Sequence, residues 1–281
     1  METSETREIS QMKFSVLMSI YKKECPEWFI TAVESVESQT VKPDEVVIVQ
    51  DGPLTDPLYD ACDKLKNKYS NIRYIKLKQN QGLGIALQYG VKACKNELIA
   101  RMDTDDISVP DRFEKQLKEF SINSSLSLCG GFIEEFSTTP EELETTRKVP
   151  LTKNEIISFG KKRNPFNHMT VMFRKADVLA AGNYQSFLLF EDYYLWVRMI
   201  MKDYEMKNIA DTLVLVRTGK GMIARRGGIE YFKKEKKLYQ EFYRLGYINK
   251  AEMTVLLALR MIVHISPNWV RRIVYKNILR K

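Results

Sequence analysis

Three carboxylates close the segment Glu97-Leu-Ile-Ala-Arg101-Met-Asp103-Thr-Asp105-Asp106-Ile-Ser108. Leu98, Ile99 and Met102 read as a buried strand, and like charges gathered at the end of such a strand need a partner. A hard divalent cation is the simplest one, because Mg²⁺ or Mn²⁺ takes carboxylate oxygens and leaves positions open for phosphate. If the strand continued, alternation would put Asp103 and Asp105 on the same side, where both could grip one cation. The alternative is a solvated turn with a capping aspartate for the helix after Pro110. The chemistry indicated is chemistry on a phosphate-bearing substrate.

Other candidates are scattered along the chain. Asp51, in Asp51-Gly52-Pro53, ends a second apolar run; turn chemistry alone accounts for such an aspartate, but there it could also accept from the ring N–H of a base. Asn80-Gln-Gly82-Leu-Gly84 opens a helix, either as a cap or as a place where a nucleotide approaches closely. It lacks the Lys-Ser/Thr of a phosphate-binding P-loop. Glu191 and Asp192 begin a later helix, where the dipole favours acids, and Asp192 also suits a general base acting on a sugar hydroxyl. Of the two histidines, His168 starts a short apolar segment and His264 lies in an apolar helix; structural roles suit both.

The elements that must position these groups alternate. Strands are expected at 14–20, 45–50, 72–77 and 97–102, separated by a helix that Pro26 opens, with Phe29, Ala32, Val33 and Val36 at helical spacing, and by helices at about 57–68 and 82–95. This order means a parallel sheet with right-handed crossovers, an α/β fold whose ligands sit outside the carboxyl ends of the strands. Tyr21 to Glu24, Asp51-Gly52 and Asp103 to Asp106 all fall there. Pro110 starts another helix, 126–136 reads as a strand broken by Gly130-Gly131, and 140–165 reads as polar loop. A short strand at 168–173, a helix at 191–201 and a strand at 211–217 complete the sheet pattern. Three basic helices are expected at about 229–245, 250–265 and 268–280.

With 281 residues, 44% of them hydrophobic, the chain is long enough for one large α/β domain with an appendage. Its start shows no apolar signal segment, and no run is long and apolar enough to span a membrane. The four cysteines form no CxxC pair and read as reduced. These features suggest a cytoplasmic protein. From Arg217 onward sixteen Lys and Arg stand against four Asp and Glu, while the residues before it carry a net charge of −4. Such a tail suggests an anionic surface as partner, nucleic acid or lipid. Val270, Ile273, Val274 and Ile278 share a helical face among Arg271, Arg272, Lys276, Arg280 and Lys281, which fits an interfacial helix; a soluble basic cap is the alternative.

Taken in order, Ser15-Val-Leu-Met-Ser-Ile-Tyr21-Lys-Lys-Glu24, Val47-Ile-Val-Gln-Asp51-Gly52, Asn80-Gln-Gly82-Leu-Gly84, Ala100-Arg101-Met-Asp103-Thr-Asp105-Asp106 and Glu191-Asp192-Tyr-Tyr-Leu-Trp196-Val-Arg198 resemble the family 2 inverting glycosyltransferases, whose nucleotide-sugar domain has the GT-A fold. The resemblance covers about residues 13 to 217. It implies a polar N-terminal segment (1–12), a GT-A transferase domain (13–217) and a basic helical region (218–281) at the membrane surface. It also implies that Tyr21 and Asp51 hold the uracil of a UDP-sugar, with Glu24, Asn80, Gly82, Arg101, Asp103 and Arg225 completing the donor site. Asp105, with Asp103, would ligate Mn²⁺ or Mg²⁺, and Asp192 would be the base. Glu191, His168 and Trp196 would stand near the acceptor. Arg217, Lys220, Arg225 and Arg226 would close over the diphosphate as a lid.

Two departures refine the expectation. Gln50 replaces one of two acids common in the family, and the Gln-x-x-Arg-Trp of polymer-forming members is absent, which argues for transfer of a single sugar. The chain looks most like bacterial enzymes of O-antigen or capsule synthesis, which transfer glucose or galactose, often in β-1,3 linkage, from a UDP-hexose to an N-acetylhexosamine on undecaprenyl diphosphate. The expected place is the inner face of the cytoplasmic membrane, with no nucleic acid bound. Three rivals are weighed. A haloacid-dehalogenase-type phosphatase would use Asp103 as nucleophile, but its motif ends the first strand rather than the fourth. A sugar nucleotidyltransferase would need a Gly-rich basic loop after Ile20, which is missing. A non-catalytic binding protein would use the tail on nucleic acid, but the tail lacks interleaved aromatic residues.

Overall fold

The computed structural model describes residues 9, 11–187, 189–218 and 228–266. Four parallel strands form one half of the sheet: β1 (Phe14–Ile20), β2 (Glu45–Gln50), β3 (Ile72–Lys76) and β4 (Leu98–Arg101), in the order β3-β2-β1-β4. Helices α1 (Pro26–Glu37), α2 (Asp56–Lys68) and α3 (Leu83–Ala93) make the crossovers. The central strands β1 and β2 are largely apolar on both faces because both faces are covered, whereas β3, at the edge, is only partly buried. Val16, Met18, Val46 and Ile48 face a core shared with α1, α2 and α4 (Arg112–Ile122). Leu17, Val47 and Val49 face a second core shared with α3. Gly90 lets α3 lie directly on β1, since a Cβ there would overlap the Leu17 side chain.

The other half is mixed. β4 runs antiparallel to β8 (Met172–Arg174), β8 antiparallel to β6 (Leu126–Phe136), and β6 parallel to β9 (Glu205–Arg217). β5 (Ile107–Ser108) closes this edge on β9, and β7 (Leu143–Arg147) hangs on β6. Helices α5 (Lys153–Gly160), α6 (Lys175–Ala180) and α7 (Glu191–Ile200) flank it, followed by α8 (Ile229–Arg244) and α9 (Lys250–Ile265). Leu238, Tyr239 and Phe242 of α8 enter the second core together with Leu195 and Val197 of α7.

Several expectations are corrected. β4 stops at Arg101 and residues 104–106 are bends, so strand alternation does not align Asp103 with Asp105; Asp103 instead folds back onto the Arg101 guanidinium. Gly130-Gly131 do not break β6. The break falls in its pairing with β9, where Gly131 faces Ile209 but Phe132 faces Thr212. The segment 140–165 holds β7 and α5, the latter started by a reciprocal cap between Thr152 and Glu155. His168 lies in a 3-10 turn (His168–Thr170) rather than a strand, because the Thr170 hydroxyl donates to Asn167 O at 2.8 Å and curls the backbone. β9 begins at Glu205, earlier than expected, since Asn208 is buried with its amide donating to Pro150 O and Pro165 O. The helix expected at 268–280, with its apolar face, lies outside the described residues, as do Lys220, Arg225 and Arg226.

Candidate active site

The carboxyl ends of β1, β2 and β4 meet at one edge, and β9 ends beside them. After β2, the buried Asp51 accepts from two consecutive backbone amides, Gln81 N to Oδ1 at 2.7 Å and Gly82 N to Oδ2 at 2.9 Å. Asn80 Nδ2 donates to Asp51 O at 3.2 Å. Gly52 makes this possible: its φ is 87°, and a Cβ there would stand 2.5 Å from Asn80 N. Asp51, Asn80 and Gly82 therefore form one tight turn at the start of α3. Tyr21 stands at the end of β1 with its side chain exposed.

After β4 the acids gather. Arg101, buried in the sheet, pairs with Asp103, and its Nε and Nη1 have no partner among the described residues. Arg112 Nη2 donates to Arg101 O at 2.8 Å and fixes the end of the strand. Glu24 lies against this group: burial and the charges of Asp105 and Asp103 push its carboxyl up to about 7. Burial and Asp103 likewise push Asp105 up to about 6, against the pull of Arg101 and Arg217. Asp106 is buried and raised well above the ordinary carboxylate range by burial first, then by Asp103 and Asp105.

Arg217 ends β9 with its guanidinium against two rings, 4.6 Å from the centre of Trp28 and 4.7 Å from that of Phe136. It thus lies at a strand end rather than in a glycine-rich loop, held by cation–π contact with both. Trp28 and Phe136 were not foreseen. The available signal was Trp28 itself, a large exposed aromatic on the first turn of α1, one residue before the buried Phe29.

The third group belongs to α7. Asp192 is half-buried in its first turn, and Asn164 Nδ2 donates to its Oδ2 at 2.6 Å. Burial raises the Asp192 carboxyl, while Asn164, Arg101 and Arg147 oppose the rise. Glu191 is buried, pushed up to about 7 chiefly by burial, and its Oε2 has no partner among the described residues. His168 Nε2 lies 2.9 Å from the Tyr184 hydroxyl, and its ring meets Trp196 edge-on at 6.1 Å. Burial and the Arg101 charge keep that imidazole neutral, its pKa well below the usual value. Trp196 is fully buried and packs with His168, Tyr184 and Phe166 in one aromatic cluster. Arg101 joins the groups electrostatically, since its charge acts on Asp103, Asp105, Asp192 and His168. Asn164 was the other omission; no spacing rule marks it.

Among the described residues no three His, Cys, Asp or Glu side chains form a ready metal cage. The donor chemistry nevertheless fits a hard divalent ion. Glu24, Asp103 and Asp105 are crowded carboxylates whose repulsion a cation would relieve, and Mg²⁺ or Mn²⁺ is commonly held by one or two carboxylates plus phosphate and water.

Residues 15–179 match the family described as Glycosyl transferase family 2. An uncharacterized glycosyltransferase of Haemophilus influenzae is 41% identical over 96% of this chain and 100% of its own length. The UDP-Gal:alpha-D-GlcNAc-diphosphoundecaprenol beta-1,3-galactosyltransferase of Escherichia coli is 37% identical over 96% of this chain and 97% of its own. The crystal structure of S. aureus TarS 1-349 in complex with UDP-GlcNAc superposes with a TM-score of 0.66 at 18% identity, covering 95% of this chain and 77% of that one. The chain belongs to glycosyl transferase family 2. Its fold is the GT-A fold. The phosphatase, nucleotidyltransferase and non-catalytic readings find no support beside this membership.

Proposed function

We propose that the protein transfers one hexose, galactose or glucose, from its UDP-sugar to an N-acetylhexosamine carried on undecaprenyl diphosphate, forming a β-1,3 bond during synthesis of a bacterial surface polysaccharide. The observation that carries this reading is the E. coli relative, 37% identical along nearly the whole of both chains and named for that reaction with galactose. Galactose is accordingly the first donor to test.

Tyr21 and the Asp51–Asn80–Gly82 turn would hold the uracil and ribose, with Asp103 reaching toward the diphosphate. Glu24, Asp103 and Asp105 would hold Mn²⁺ or Mg²⁺, which when bound supplies positive charge to the departing diphosphate. Arg217, held against Trp28 and Phe136, would add a fixed positive charge on the same side. Asp192 would take the proton of the acceptor hydroxyl as that oxygen attacks the anomeric carbon. The bond from that carbon to the diphosphate oxygen breaks, UDP leaves, and the sugar is inverted. The raised carboxyl of Asp192 favours this role, because a stronger base accepts a proton more readily. Glu191, His168 and Trp196 would support the acceptor side of Asp192.

The basic C-terminal region (218–281) would rest on the anionic inner face of the cytoplasmic membrane, presenting the 13–217 transferase unit to its lipid-linked acceptor, with nucleic acid not a partner. No helix of the described residues is long and apolar enough to cross a membrane. The exposure of Val255, Leu259 and Ile262 on α9 supports the surface reading. The test is UDP release from a panel of UDP-sugars with GlcNAc- or GalNAc-diphosphate-lipid, with and without Mn²⁺. Asp105→Ala and Asp192→Asn should each abolish it, Asp192→Asn without loss of UDP binding; transfer from a GDP- or dTDP-sugar, offered beside the panel, with none from any UDP-sugar would overturn the donor assignment.

A further inference from the structure

The segment from the last turn of α5 to the 3-10 turn is gripped by the C-terminal region and by α7. Tyr247 Oη donates to Ile157 O at 2.6 Å, and Tyr193 Oη donates to Gly160 O at 2.7 Å. Lys161 pairs with Glu252 at 2.8 Å. Lys162 O is held twice, by Tyr239 Oη at 3.1 Å and by Arg260 Nη2 at 2.6 Å. Two residues further, the same strap delivers Asn164 to Asp192. Arg260 is itself aimed by Glu235, Nε to Oε1 at 3.2 Å, and Glu235 is anchored on its other oxygen by His264 Nε2 at 2.8 Å.

A helical appendage serving only as a membrane foot would have no need to hold two backbone carbonyls, Ile157 O and Lys162 O, of a strap that ends on the candidate base. Lys162 O lies beyond the end of α5 and Ile157 O in its last turn, where carbonyls run out of helical donors, so without Tyr239, Tyr247 and Arg260 the strap would satisfy them elsewhere and shift. A displacement of about 1 Å at a group aligned for proton transfer is enough to cost a large part of the rate.

We propose that Tyr239 and Arg260 are positioning residues of the transfer reaction: through Lys162 O they fix the strap that sets Asn164, and Asn164 sets Asp192. The α8–α9 pair is thus part of the catalytic apparatus as well as of the C-terminal region. The inference rests on Asp192 being the base.

The experiment is steady-state kinetics on the full chain with detergent-dispersed GlcNAc-diphosphate-lipid, for Tyr239→Phe, Arg260→Met, Arg260→Lys, Asn164→Ala and Asp192→Asn. Tyr239→Phe removes a single oxygen and leaves the ring in the core. Tyr239→Phe and Arg260→Met should each lower kcat by about five- to tenfold, the worth of about one hydrogen bond, with KM for the UDP-sugar unchanged. Arg260→Lys, which can still reach Lys162 O, should recover most of that loss. In the Asn164→Ala background neither substitution should lower kcat further, since the link they act through is already gone. Undiminished kcat in Tyr239→Phe and Arg260→Met, or losses that simply add to that of Asn164→Ala, would overturn the positioning role while leaving the base in place. Full activity in Asp192→Asn would instead overturn the base, and the positioning role with it. A rise in KM for the UDP-sugar in step with the fall in kcat would mark a general loss of structure and count against the proposal.

Discussion

The backbone amide of Arg217 donates to Oδ1 of Asp106 at 3.0 Å, tying the end of the longest strand to the acidic turn after β4. Asp106 is the most enclosed of the three acids and gains a structural duty from this bond. Asp106→Asn keeps the accepting oxygen and removes a charge from a crowded site. It should fold with unchanged or higher thermal stability. Asp106→Ala leaves a buried N–H unpaired and should cost about 1–3 kcal/mol in denaturant unfolding. Equal destabilisation by both substitutions would show that the charge, rather than the bond, is what matters.

The raised carboxyls give the metal-free protein a defined pH response. Glu24 and Asp105 are pushed up to about 7 and about 6, so the folded chain holds protons that the unfolded chain releases. Stability should therefore fall as pH rises from roughly 4 to 7, the opposite of a salt-bridged carboxylate. Mn²⁺ competes with those protons, so the melting temperature it adds should be larger at about pH 7.5 than at about pH 5.5. In Asp105→Asn the Mn²⁺ effect should be lost. A Mn²⁺ shift of equal size at both pH values would argue against these carboxylates as its ligands.

Burial raises Asp192, while the Asn164 amide opposes the rise. The base must be unprotonated to act, so kcat should fall as pH drops through the raised value. Asn164→Ala removes the opposing bond and should move that acid limb to higher pH. Profiles of kcat against pH for the two proteins, measured with saturating donor, decide it; a limb moving to lower pH would be incompatible with this geometry.

Gly52→Ala should disturb the uracil side without touching the chemistry. The substitution meets both a φ of 87° and the Asn80 backbone at 2.5 Å, so residues 80–82 must move away from Asp51. Strain of about 1–3 kcal/mol should appear in unfolding. UDP affinity by calorimetry should weaken by about tenfold or more. Wild-type UDP affinity would show that this turn does not form the base pocket.

Leu259 and Ile262 lie exposed on one side of α9. Leu259→Glu with Ile262→Glu should reduce co-sedimentation with vesicles containing anionic phospholipid and leave activity on a detergent-dispersed acceptor intact. Retention on DNA instead of vesicles would favour the nucleic-acid reading of the basic tail.

The parallel half of the sheet was legible because its strands are buried on both faces and read as unbroken apolar runs, and because Pro26 and Pro57 mark the helix starts between them. The ordering of Asp51, Asp103 and Asp105 at strand ends followed from that alternation alone. The mixed half was less legible. β7, Leu-Glu-Thr-Thr-Arg, pairs on only one side and is mostly polar, so neither apolar runs nor clear alternation mark it. α5 did carry a signal, Thr152 followed three residues later by Glu155, which a polar surrounding masked. Asn164 is not legible at all and Trp28 only as a large aromatic at a helix start, because each gains its role from a partner far along the chain: Asp192 for one and Arg217 for the other.

The bond between Asp106 and Arg217 spans 111 residues. It also fixes an order of assembly. As the chain leaves the ribosome, the four parallel strands and all three acids after β4 emerge long before β9 exists, and domains fold from the N-terminal side first. Until β9 slots in beside β6 and caps β5, the acidic turn lacks both its amide partner and the guanidinium that faces it. A nascent chain halted before Arg217 can carry all four parallel strands and still present an open, mutually repelling acidic turn, whose closure waits for the end of β9.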